Sequence, residues 1–83
     1  MTQSIESQVI DIIARKRKLD PTAVSLDSTF EQLGVDSLDA ADLLFAFEDR
    51  FGIVVPDAAA QSMKSVRNVV DGVRQLLDDR AGA

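Results

Sequence analysis

Apolar residues in the first part of the chain recur at helical spacing. Ile5, Val9, Ile12 and Ile13 fall at i, i+4, i+7 and i+8, with Gln8, Asp11 and Arg15 elsewhere on the helix. This predicts a first helix over about 3–18, with Thr2 or Ser4 as its cap. Pro21 is expected to stop it, because a proline pushes the preceding Asp20 out of the helical region. Residues 19–35 then read as a long connection. Asp20-Pro21 and Asp27-Ser28-Thr29 are turn chemistry. Yet Leu19, Val24, Leu26, Phe30 and Leu33 are apolar and are expected to pin the loop across the core. A short helical turn near Phe30–Leu33, ended by Gly34, fits the preference for glycine after a helical C-terminus.

Asp36 or Ser37 opens a second helix. Leu38, Ala41, Leu44, Phe47 and Phe51 are read as its inner face, with Leu43 on the flank and Gly52 as its end. Ile53-Val54-Val55-Pro56 is too short for a useful strand and is expected to be an extended connection that buries Ile53 or Val54. Asp57 is the expected cap of a short helix over Ala58–Met63. Ser65 caps the last helix, whose Val66, Val69, Val70, Val73, Leu76 and Leu77 keep helical period. The valines alone would favour a strand, but the spacing decides for helix. Arg80-Ala81-Gly82-Ala83 reads as a frayed tail. The pattern predicts one all-α domain over residues 1–83, with three substantial helices, a fourth short one and a long first loop.

Length and composition narrow the function. A domain of 83 residues buries only about 60% of its unfolded surface. It has little room for both a core and a deep catalytic cleft. The net charge of −5 argues against nucleic acid, which demands excess positive charge, and suits partners with basic patches. The chain has no Cys and no His. That removes disulfides, argues against a zinc site, and excludes a Ser-His-Asp arrangement. Its first residues are polar rather than a basic-then-apolar leader. No apolar run approaches the roughly 20 residues of a membrane span. The expectation is a cytoplasmic protein without membrane insertion.

Among the remaining polar residues Ser37 stands out. A nucleophilic serine needs a neighbouring base, and the adjacent Asp36 and Asp39 are weak bases for a hydroxyl. Ser37 is therefore a poor catalyst but a suitable substrate. At a helix N-terminus, open backbone N–H groups and the helix dipole favour a phosphate. The same Asp-Ser pair is equally an ordinary N-cap. The segment from Asp36 to Asp57 holds Asp36, Asp39, Asp42, Glu48, Asp49 and Asp57 against Arg50 alone, so it carries the whole net charge. That concentration is either a docking surface or a solvated helix face. The basic run Arg15-Lys16-Arg17-Lys18 could be a nucleic-acid or targeting patch. Its place in the last turn of the first helix, where cations complement the dipole, is the better account.

Phe30-Glu31-Gln32-Leu33-Gly34-Val35-Asp36-Ser37-Leu38-Asp39 resembles the attachment signature of the acyl carrier protein family. Phe47–Asp57 resembles that family's second-helix end and following loop, and Met63-Lys64-Ser65-Val66 its approach to the last helix. The resemblance covers nearly the whole chain. It implies a four-helix bundle and a covalent 4′-phosphopantetheine on Ser37, flanked by Asp36 and Leu38 and donated from coenzyme A by a phosphopantetheinyl transferase. It implies a monomeric carrier, not an enzyme, that presents acyl thioesters to fatty-acid or related biosynthetic enzymes with basic docking patches. Asp36, Asp39, Asp42, Glu48 and Asp49 would be recognition residues. Leu43, Phe47, Ile53, Ala59 and Val69 are candidates for an acyl-chain lining, or equally plain core. Ala41, Asp42, Arg50, Lys64 and Arg67 depart from housekeeping fatty-acid carriers, and Phe45 and Phe47 add aromatic bulk. A specialised carrier of aminoacyl or polyketide units, and an unmodified acidic helical adaptor, are the alternatives.

Overall fold

The computed structural model describes residues 4–81. Four α-helices follow in order: α1 (Ile5–Arg17), α2 (Ser37–Phe51), α3 (Asp57–Ser62) and α4 (Val66–Ala81). The all-α expectation of three long helices and one short one is met. None of the described helices is long and apolar enough to cross a membrane.

The core comes from three helices. Val9 and Ile13 of α1, Leu43 and Phe47 of α2, and Val66, Val69 and Val73 of α4 are fully buried. Each such side chain contributes about 1.5–3 kcal/mol relative to exposure, so this cluster decides how the helices pack. α1 contacts both α4 and α2. Gly72 lets Met63 close against α4, because a Cβ there would meet the Met63 terminal methyl.

The inner face of α2 differs from the expected one. Leu43 is its centre rather than its flank, and Leu38 and Ala41 face solvent. The inward stripe runs Ala40, Leu43, Leu44, Phe47, Phe51, with Leu43 and Phe47 buried and the others half-buried, which is the i, i+3, i+4 pattern. The spacing of threes from Leu38 drifts around the helix and crosses from the outer face to the inner one.

The ends of the helices are set by local chemistry. Ser4 caps α1, its Oγ accepting from the Ser7 N–H at 3.1 Å; Thr2 lies outside the described residues. Pro21 is not what stops α1. Lys18 turns left-handed at φ 56°, and its N–H closes on Ala14 and Arg15 carbonyls. Pro21 instead begins a single 3₁₀ turn, Pro21–Ala23, capped by Asp20. Asp57 is the first residue of α3 and not its cap; Pro56 holds the cap position without a side-chain bond. Ile53 is buried and Val54 is 77% exposed. α4 continues through Arg80 and Ala81, so those residues are helical rather than a frayed tail, while Gly82 and Ala83 lie outside the described residues.

Val24, Leu26, Phe30 and Leu33 pin the long connection to the core as expected, whereas Leu19 is exposed; backbone bonds pin it as well. Its Ser28 and Leu26 carbonyls accept from the Val66 and Arg67 N–H groups at 3.0 and 3.1 Å. These are orphan donors of the α4 N-terminus, so loop and helix satisfy each other. Ser65 Oγ caps the same end through the Asn68 N–H at 3.2 Å.

Candidate functional site

The loop that leads into α2 is built from hydrogen bonds. Thr29 and Gln32 exchange reciprocal bonds, each side-chain oxygen accepting from the other's backbone N–H at 3.1 Å. This is a capping box, readable in the sequence as Thr-x-x-Gln and missed there. It starts the turn that ends at Gly34, whose φ of 74° is left-handed and suits glycine. The Val35 N–H then donates to the Phe30 carbonyl at 2.9 Å. From α1, Arg17 reaches the same region. Its Nε donates to the Leu33 carbonyl at 3.2 Å and its Nη1 to Asp39 Oδ2 at 3.1 Å.

Asp36, not Ser37, caps α2. Its backbone is extended, its Oδ1 accepts from the Asp39 N–H at 2.9 Å, and its carbonyl accepts from the Ala40 N–H at 2.8 Å. Ser37 is the first residue of the helix and is exposed. Its hydroxyl is thereby relieved of capping. The N–H groups of Ser37 and Leu38 have no carbonyl four residues back within the helix. A phosphate on Ser37 would sit in the positive end of the α2 dipole.

The five acids singled out for recognition fall into two groups. Asp36 caps α2, Asp39 pairs with Arg17, and Glu48 Oε2 accepts from the Val55 N–H at 2.8 Å. These three hold the protein's own structure. Asp42 and Asp49 are exposed and, among the described residues, form no ion pair. They alternate along one stripe of α2 with Leu38, 79% exposed, and Phe45, 69% exposed. From the sequence, Leu38 is expected both in the attachment segment and on the inner face of α2, and Phe45 only as aromatic bulk. Acids three residues before it and four after it mark Phe45 as a position on the solvent face.

A profile of the family described as "Phosphopantetheine attachment site" matches residues 7–73. The acyl carrier protein of Campylobacter hominis is 39% identical over 70 residues, covering 83% of this chain and 89% of that protein. That of Rickettsia canadensis is 37% identical, over 89% and 87% of the two chains. The crystal structure of an acyl carrier protein from Thermotoga maritima superposes with a TM-score of 0.75 at 30% identity, over 87% and 85% of the chains. The chain belongs to the acyl carrier protein family. As in that family, a covalently attached 4′-phosphopantetheine is its prosthetic group.

The residues of this carrier fit that group: an exposed serine, free of capping, stands before open amides. Among the described residues no cluster of three or more acids could hold a metal. An apolar lining between the helices is expected from the sequence. A cavity of about 30 Å³ lies between the helices, lined by Phe30, Ala40, Leu43, Leu44, Phe47, Ala60, Met63 and Val69. Leu43, Phe47 and Val69 of the expected lining are there. Ile53 is buried elsewhere, and Ala59 gives way to its neighbour Ala60. The space is that of a single water. Ala40, one turn from Ser37, brings the lining close to the attachment position.

Proposed function

We propose that residues 1–83 form a single carrier domain that holds acyl intermediates on a 4′-phosphopantetheine attached to Ser37. The observation that supports this most directly is the division of labour at the start of α2. Asp36 does the capping, which leaves the exposed Ser37 hydroxyl available. When bound, the group supplies a thiol on a flexible arm, where an acyl chain is held as a thioester. That thiol stands in for the cysteine the chain lacks.

The protein's own residues present rather than catalyse. No His or Cys adjoins the serine, and the Asp36 carboxylate is committed to the Asp39 N–H. The base that activates Ser37 comes from the transferase. The open amides of the first α2 turn stabilise the negative charge left on Ser37 after transfer. The stripe of Leu38, Asp42, Phe45 and Asp49 supports docking on partner enzymes whose apolar surface is ringed by basic residues. The carrier serves fatty-acid or related biosynthesis.

Intact-mass analysis after incubation with coenzyme A and a bacterial phosphopantetheinyl transferase tests the reading. Wild type gains one phosphopantetheine mass; Ser37→Ala gains none. A wild type that gains nothing, or a Ser37→Ala protein that is still modified, refutes it. The first result would favour an unmodified acidic adaptor.

A further inference from the structure

Arg17 is the last residue of α1. Two of its nitrogens engage acceptors that lie on opposite sides of Ser37 in sequence. Nε donates to the Leu33 carbonyl at 3.2 Å, at the end of the incoming loop. Nη1 donates to Asp39 Oδ2 at 3.1 Å, in the first turn of α2. The third nitrogen, Nη2, lies 3.0 Å from where a Cβ on Gly34 would stand. Glycine at this position therefore serves two needs: a left-handed backbone and room for the guanidinium. Asp39 in turn receives its place from the Asp36 cap through its own N–H. The result is a staple. One planar fork joins α1 to both ends of the segment that carries the serine, and only arginine has donors arranged to do so.

We propose that Arg17 is a positioning residue for the modification of Ser37, holding residues 34–38 in the shape the transferase takes up. The proposal rests on Ser37 as the attachment point. Arg17 acts through Leu33 and Asp39 and does not touch the hydroxyl. Without it, the segment keeps its local bonds, Gly34 to Glu31, Val35 to Phe30 and the Asp36 cap with Asp39 and Ala40, but loses its tie to α1. It then populates several shapes, and the transferase must select one on docking. A lowered population of the competent shape weakens apparent binding by that fraction and leaves the bound geometry unchanged. The loss therefore falls on KM and not on kcat. The pairing also withdraws Asp39 from the acids offered to partners.

The test compares wild type with Arg17→Gln as substrates of a phosphopantetheinyl transferase and coenzyme A, alongside amide hydrogen exchange of both apo proteins. The variant is expected to raise KM about tenfold while kcat stays within about twofold, as a shifted pre-equilibrium requires. Exchange should quicken at Gly34–Leu38 and stay unchanged at Val69, Val70 and Val73 of the core, which a merely structural role would not separate. An Arg17→Gln protein with wild-type KM, with a loss confined to kcat, or with unchanged exchange over 34–38 overturns the proposal. If Arg17→Gln is unfolded at the assay temperature, Arg17→Lys carries the test. Its single ammonium cannot span both acceptors, so KM should still rise about threefold; a wild-type KM overturns the proposal. A wild type that accepts no phosphopantetheine refutes the attachment itself, and the proposal with it. A modified wild type matched by its Arg17 variants refutes the proposal alone.

Discussion

Phe47→Ala probes the core and the cargo space together. Phe47 is 1% exposed and lines the small cavity between the helices. Truncating a buried phenylalanine costs about 3–5 kcal/mol through lost transfer energy and the void left behind. A chain of this length has about 4–12 kcal/mol of total stability. The substitution therefore removes a large share of it and lowers the melting temperature by about 10–40 °C. Thermal and urea unfolding followed by circular dichroism measure this. The site adds a second expectation. The wild-type cavity of about 30 Å³ has no room for an acyl chain until the bundle opens, whereas the variant carries a void at that place. An acyl chain that enters there fills the void, so acylation should raise the melting temperature of Phe47→Ala more than that of wild type. A melting temperature within a few degrees of wild type would show that Phe47 is not a core residue. Equal stabilisation of both proteins by acylation would show that the chain goes elsewhere.

Two further predictions concern the end of α1 and the turn after it. Lys18 holds a left-handed conformation at φ 56°, which costs a non-glycine residue about 1–2 kcal/mol. Lys18→Gly should stabilise the protein in urea unfolding by about 1 kcal/mol, less a few tenths for the lost cation at the helix C-terminus; a destabilised variant refutes this account. Bonds from the Thr22 N–H and hydroxyl hold the Asp20 carboxyl below the usual carboxylate range. Because the folded state binds this proton less readily, the contribution of Asp20 is present above the ordinary aspartate pKa and is lost as pH falls through the folded value. The stability difference between wild type and Asp20→Ala should shrink across that acid window, and a difference independent of pH would refute it.

Much of this protein is legible in its sequence. Period placed the three long helices, because a helix on the surface of a small core must keep one apolar stripe inward; the short one rested on Asp57 alone, which is its first residue rather than its cap. The serine after Asp36, the missing histidine and cysteine, and the acids crowded between Asp36 and Asp57 pointed to a modified residue rather than a catalyst. The sequence left Asp36 and Ser37 as equal candidates for the α2 cap. Both side chains can accept a hydrogen bond from the helix N-terminus, and only the backbone conformation separates them. The inward stripe of α2 was misjudged for a related reason: Leu38 and Phe45 are as apolar as Leu43, and burial depends on where α1 and α4 lie. Asp39 and Glu48 looked like the other surface acids until Arg17 and the Val55 N–H were brought to them from distant segments. What local sequence determines here is periodicity, turn chemistry and available functional groups. What only the tertiary structure decides is which of those groups face one another, since contacts such as Arg17 with Asp39 join residues far apart in the chain and exist only once the helices have packed.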